Sequence, residues 1–397
     1  MTGTRPLPLT TTARTRAHAG AGLLLAGTAL LTGCGAQPGE IPLSEIRAES
    51  PSAVPTAEPA VANATPGVIG AAAPALPVMA HNGLIASRVF LDPSRLTSAV
   101  FTVTADGGAL QQLTRPPGEG RDDHPDWSPD GTTIAFDRTE TENGTPRLWT
   151  VTADGEEAHQ LGQLCEPDAA DCTNEQESGP AFSPDGKQIA FSRAWGTLDP
   201  TDNKQIQYSD LYLMSPDGTN AQRLTFLTND KPYSGDVRNP SWSPDGKQLV
   251  FEYRTSSTGQ PAAGRALYIV NTDGTGLRRL TPWELRAGER ASWSPDGTRI
   301  VFTTYPAGPD YSPGGGIYTV QPDGSTIDAL TPGPSNDFYG AAAYSPDGTS
   351  IVFAQAPAGG TSDLYRMQAN GTGVTRITDT ADQWESRPSW GTAAPRS

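Results

Sequence analysis

The chain has 397 residues and a formal charge of −16, with 43 glycines, 37 prolines and three cysteines. That length suits one large repeat array better than one ordinary domain. The acidity excludes a nucleic-acid partner, which needs a basic footprint on the protein, and argues against broad electrostatic docking on anionic lipid.

In chain order, the first predicted element is a targeting segment. Arg5, Arg14 and Arg16 precede an apolar run of 13 residues, Ala19 to Leu31. A membrane-spanning helix needs about 20 apolar residues, so the run reads as a signal-peptide core. It ends in Leu31-Thr32-Gly33-Cys34, which resembles the bacterial lipobox. The resemblance implies that residues 1–33 are a lipoprotein signal peptide and that Cys34 becomes the acylated, palmitate-type anchor of an extracytoplasmic protein. Residues 34–81 then form a tether. Eight prolines and 12 alanines among residues 35–80 leave too little apolar surface to offset the entropy of ordering.

A repeated phrase follows. Trp127-Ser128-Pro129-Asp130-Gly131 returns at Phe182, Trp242, Trp293 and Tyr344, and in truncated form at Pro388-Ser389-Trp390-Gly391. The aromatic positions are 55, 60, 51, 51 and 46 residues apart, a period that signals repeated supersecondary units. Each phrase opens a four-strand unit. Asp126 to Ser128 reads as a first strand and Ser-Pro-Asp-Gly as a type I turn. Thr133 to Asp137 is apolar on both faces, hence a central strand. Leu148 to Thr152 is the third strand, Ala153-Asp154-Gly155 a hairpin turn, and His159 to Leu161 a short polar outer strand.

The third-strand pattern recurs at Leu211, Leu267, Ile317 and Leu364, and once upstream at Phe101. The upstream copy has a second strand, Leu84 to Arg88, but no first strand; Pro388 to Trp390 supplies one. Three N-terminal strands plus one C-terminal strand make one blade, and five complete units make six. The expected fold is therefore all-β: a six-bladed β-propeller over residues 82–391, with four-stranded antiparallel blades, closed by both termini and followed by a tail, 392–397. The phrase resembles the TolB-type propeller repeat across about residues 82–391. The resemblance implies packing of the repeat aromatics between blades and, since TolB docks other envelope proteins, a protein partner.

Strand direction sorts the connections. The Ser-Pro-Asp-Gly and Asp-Gly turns share one face. Long, dissimilar connections share the other: Gly162 to Gly179, Ala194 to Ser209, Phe226 to Asn239, Thr255 to Gly264 and Tyr305 to Gly315. Binding residues concentrate on such loops. The expected partner-binding aromatics are Trp195, Tyr208, Tyr233, Trp283, Tyr305, Tyr311, Phe338, Tyr339 and Trp384, with folding back over the blades as the alternative. Residues just ahead of each first strand are expected to ring a channel mouth: Asp122, His124, Glu177, Asp236, Asn239, Glu289, Arg290, Glu385 and Arg387. A divalent cation among Asp122, Glu177 and Glu385 is one reading; a self-paired polar mouth is the other, and no further cofactor is expected. Cys165 and Cys172 flank a polar loop and, after export, are expected to form a local disulfide.

No Gly-x-Ser-x-Gly elbow occurs, which removes the exported-peptidase version of the resemblance. After the signal segment the histidines are His81, His124 and His159, at unrelated repeat positions, so a His-rich metal site is not expected. The expected function is a monomeric, membrane-anchored, non-catalytic scaffold for an envelope protein or polysaccharide. The alternative is a carbohydrate-active lyase or hydrolase on an acidic polysaccharide, with paired carboxylates as acid and base.

Overall fold

In the computed structural model the described residues are 81–393, apart from 109, 143, 163–174, 199–204, 228–234, 256–263, 306–314, 332–336, 358–359 and 381. Cys34 with its signal segment and tether, the Cys165–Cys172 pair, Tyr233 and Tyr311 all lie outside them.

Strands account for nearly all regular structure. β1 (Asn82–Phe90), β2 (Ser98–Val103) and β3 (Gln111–Gln112) come first. Next are β4 (Arg121–Trp127), β5 (Thr133–Thr139), β6 (Arg147–Thr152) and β7 (Ala158–Gln160), then β8 (Gln176–Phe182), β9 (Ile189–Leu198), β10 (Gln205–Met214) and β11 (Gln222–Arg223). β12 (Asp236–Trp242), β13 (Gln248–Arg254), β14 (Arg265–Asn271) and β15 (Arg278–Arg279) precede a single 3-10 turn at Trp283–Leu285. β16 (Ala287–Trp293), β17 (Ile300–Thr304), β18 (Ile317–Val320) and β19 (Ile327–Ala329) follow. β20 (Phe338–Tyr344), β21 (Ser350–Ala356), β22 (Asp363–Gln368), β23 (Thr375–Arg376) and β24 (Trp384–Thr392) complete the chain.

Four groups, β8–β11, β12–β15, β16–β19 and β20–β23, are separate four-stranded antiparallel sheets. The remaining eight strands form one mixed sheet. Within it β24 pairs antiparallel with β1, Ile85 facing Trp390 and Phe90 facing Trp384. β1 continues through β2 to β3, and β4 to β7 pair in sequence. A single parallel bridge, Ser98 to Arg121, joins the two halves. The first strands β4, β8, β12, β16, β20 and β24 touch one another in a closed cycle.

Why these residues make these strands is visible in the burial. Five of the second strands repeat aliphatic-aliphatic-Phe, and Phe136, Phe191, Phe251, Phe302 and Phe353 are all fully buried. The repeat aromatics fill the seams between groups. Trp242 packs with Ala181 and Ala190 of the preceding sheet as well as Leu249 and Phe251 of its own, and its indole N–H donates to the Ala181 carbonyl at 3.0 Å. Trp127 lies so close to Gly391 of β24 that a Cβ there would meet the indole at 2.6 Å. The short turns repeat in detail. The Ser128 hydroxyl donates to Asp130 at 2.6 Å and accepts from the Thr133 N–H at 3.0 Å, while Gly131 supplies a φ of 70°.

Two boundaries differ from the sequence expectation. First strands begin earlier: β4 starts at Arg121, not Asp126. Pro125, Pro180, Pro240 and Pro388 sit inside these strands at β-bulges, where the register slips and no ladder N–H is required. The stretch from Ala194 to Ser209 is not simply a loop. β9 and β10 continue pairing out to Leu198 and Gln205, which extends a hairpin arm.

Candidate functional site

The bulges place the polar groups. His124, Gly179, Asn239, Glu289 and Arg387 carry φ values of 50°, 62°, 53°, 57° and 55°. Four of these five are not glycine, and a side chain at positive φ is costly unless its surroundings hold it. Each is held. His124 Nδ1 lies 2.7 Å from Asp137 Oδ1, and Asn239 donates to Glu252 at 3.3 Å. Glu289 accepts from the Tyr305 hydroxyl at 2.6 Å and from the Ala341 N–H at 3.1 Å. Arg387 donates to Asp123.

Asp123 also accepts from Arg88 at 2.6 Å. Burial pushes its carboxyl up, but Arg387 and Arg88 outweigh burial and hold it well below the usual carboxylate range. Glu289 is lowered in the same way, with Arg387 and the Tyr305 hydroxyl overcoming burial. A second node sits at Asp126, which the sequence reading passed over. Arg290 of β16 donates both to the Asp126 carboxylate and to the Pro125 carbonyl of β4. In the cycle of first strands these two are three steps apart in either direction, so Arg290 crosses the centre. Asp126 also accepts from the Phe182 N–H at 2.8 Å and from the Ser389 hydroxyl at 3.2 Å. One carboxylate thus ties together β4, β8, β16 and β24. Its sequence signal is faint but real. The residue before each repeat aromatic is Asp126, Ala181, Ser241, Ser292, Ala343 or Ser389, and only one of these is charged.

Asp122, Glu177 and Glu385 require a correction. They do not converge at the mouth. Side chains alternate along a strand, and because first strands begin earlier than expected, these three fall on the buried side while their neighbours face the opening. Asp122 is fully buried on Arg138 at 2.7 and 2.8 Å, and Glu177 lies 3.4 Å from Arg193. Glu385 accepts from the Thr378 and Thr380 hydroxyls at 2.6 and 2.8 Å. Among the described residues no three His, Cys, Asp or Glu side chains stand together as a metal ligand set.

Burial raises Glu385 to about 7, against the two threonine hydrogen bonds, and raises Glu177 to about 7, against Arg193. A carboxyl raised in the folded state contributes stability that is complete below its unfolded value and is lost as pH rises through the folded value. Stability is therefore expected to fall between pH 4.5 and about 7. Glu385→Gln should remove a part of that fall worth about 3 kcal/mol at most, at 1.36 kcal/mol per unit. Urea denaturation at pH 5 and pH 8.5 reads it: the variant should match the native protein at pH 5 and exceed it at pH 8.5. Equal midpoints at pH 8.5 would refute the assignment.

The expected aromatic platform is largely folded back. Tyr305 and Tyr339 are buried, and Arg265 lies 3.9 Å over the Tyr305 ring. Trp283 packs on Tyr253 and Tyr268, Trp195 on Tyr212, and Phe338 on Trp384. Tyr208 pairs opposite Trp195 through its backbone, and its side chain is outside the described part. What does open on this face is a pocket of about 410 Å³, bounded by β1, β4, β8, β9, β12 and β24. His124, Asp236 and Asp123 line it, and Arg238 and Asp236 pair within it.

A crystal structure of TolB from Acinetobacter baumannii superposes with a TM-score of 0.55 at 20% identity, covering 78% of this chain and 66% of that one. The fold is that of a TolB-like propeller. No protein-family model matches the chain. An uncharacterized protein of Agrobacterium fabrum, Atu1656, is 30% identical over 152 residues, 38% of this chain and 46% of its own length. The uncharacterized peptidase YuxL of Bacillus subtilis is 28% identical over 209 residues, 47% of this chain and 30% of its own. The matched stretch spans less than half of either curated relative, so these likenesses speak to the fold and not to an activity.

Proposed function

We propose that the chain is a membrane-anchored extracytoplasmic lipoprotein whose propeller is a non-catalytic binding scaffold for an envelope protein or polymer. In this reading the six strand groups are six blades, with β24 and β1 to β3 as one blade clasped from both ends, and the mouth face is the docking face. The observation that carries the reading is the state of the central charges. Arg290 spans to Asp126, Arg88 and Arg387 share Asp123, and Tyr305 holds Glu289. These carboxylates are engaged in holding strands together, whereas acid-base chemistry on a sugar needs a carboxyl pair facing the glycosidic bond. The resemblance to the TolB repeat supports a protein as the partner.

Two arms test this in the full-length protein. Cys34→Ala should move most of the protein from the membrane pellet to the soluble extracytoplasmic fraction; unchanged retention would sink the anchor. Affinity capture from envelope extracts should recover one partner in stoichiometric amount. Cleavage of a uronic-acid polymer by the purified protein, with nothing captured, would replace the scaffold by the carbohydrate-active alternative.

A further inference from the structure

The pocket on the mouth face is out of character with the chain around it. The protein is strongly acidic, with a formal charge of −16, yet four arginines and three aspartates line this opening: Arg88, Arg95, Arg121 and Arg238 against Asp123, Asp137 and Asp236. The aspartates are already engaged. Asp123 is shared by Arg88 and Arg387, and Asp236 pairs with Arg238. Asp137 faces His124 at 2.7 Å and accepts the Gly179 N–H at 3.0 Å.

Arg95 and Arg121 have no carboxylate partner among the described residues. The Arg95 guanidinium carbon lies 3.6 Å over the Trp384 ring. Stacking fixes the plane of the group and leaves its N–H edge available, the geometry that suits two-point contact with a carboxylate or phosphate. Arg121 makes one hydrogen bond, from Nη2 to the Glu142 carbonyl at 2.9 Å. Its other donors remain. A third, independent sign is Ser192. It lines the same pocket, the residue is only 3% exposed, and its buried oxygen has no hydrogen-bond partner among the described residues. A buried polar atom left so is destabilising unless something in the pocket bonds it.

We infer that this pocket is an oxyanion site, taking a carboxylate or phosphate group of a small ligand between the Arg95 and Arg121 guanidinium edges, with the Ser192 hydroxyl as a further contact. A volume of about 410 Å³ lies within the usual range for small-ligand sites. The inference rests on the scaffold reading to the extent that it gives the mouth face a binding role. Attraction of an anion to two rim arginines is screened by salt, so binding should weaken as ionic strength rises.

The test is calorimetric titration of the detergent-solubilised mature protein with citrate and, separately, inorganic phosphate, at about 50 and 300 mM salt. One-site saturable binding of at least one probe is expected. It should be tenfold or more weaker in Arg95→Gln/Arg121→Gln and several-fold weaker in Ser192→Ala, with native melting temperatures retained in both. Citrate alone would assign the anion to a carboxylate source and phosphate alone to a phosphate source, and either result supports the site. Binding of neither probe, or equal binding by the double variant, overturns it. Probe binding without capture of any envelope component would sustain the oxyanion site and sink the scaffold reading; capture with no probe binding would do the reverse.

Discussion

A chain ending at residue 381 is expected to lose cooperative folding altogether. What it loses is one strand, β24, which pairs with β1 and touches both β20 and β4. Trp390 is buried in the seam with Ile85, Val352 and Leu364, and removing a buried tryptophan side chain alone costs about 3–5 kcal/mol. Gly391 is the surface on which Trp127 packs, Arg387 is one of the two arginines on Asp123, and the Thr392 hydroxyl donates to the Pro129 carbonyl at 2.8 Å. The β1 edge would also be left unpaired, a template for association with other chains. Whole domains are stable by only about 5–15 kcal/mol, so these losses together exceed what the remainder can absorb. The shortened chain should bind a hydrophobic dye and melt without a sharp transition, and a peptide of residues 382–397 added in trans should restore part of the transition. A melting temperature equal to that of the full chain would refute closure by both termini.

Breaking the central bridge should have the next largest effect. Asp126 and Arg290 are only 14% and 12% exposed, and removing one partner of such a pair leaves a poorly hydrated charge behind, at about 3–5 kcal/mol. Asp126→Ala also frees the Phe182 N–H and the Ser389 hydroxyl, so it is expected to cost more than Arg290→Ala. The double variant should cost less than the sum of the two single ones, because the second change removes the charge the first left stranded. Urea denaturation of the three variants decides it; strict additivity would show that the two side chains are not coupled across the ring.

Much of this arrangement was legible in the chain. The Ser-Pro-Asp-Gly turns hold by local chemistry, a hydroxyl, a carboxylate and a glycine within a few residues, so they form as read. The aliphatic-aliphatic-Phe runs mark the central strands because both faces of those strands are covered. The mouth was misread for one local reason. Pro125 and its counterparts look like strand starts, whereas a bulge accommodates them inside a longer strand. With the start at Arg121, residues 121–125 lie inside the strand, and their side chains alternate between its two faces. Asp122, Glu177 and Glu385 go inward, while Arg121, Asp123, Gln176, Ser178 and Trp384 face the pocket. Most of the described loop aromatics fold down rather than stand as a platform, because a ring buried against a neighbouring ring or an arginine removes more apolar surface from water than one left standing.

The sequence by itself determined the unit: its period, its strand order, its turns, and the aromatics that fill the seams, all of them set by contacts within one repeat or between adjacent ones. Only the tertiary structure decided which charges meet. Arg290 and Asp126 lie 164 positions apart, and Arg387 and Asp123 lie 264 apart; neither pair has a pattern that spacing could reveal. They meet because six first strands curve into a cycle, and where the backbone brings opposite sides of that cycle within reach, long side chains pair across it rather than remain unpaired in a narrow, poorly hydrated centre.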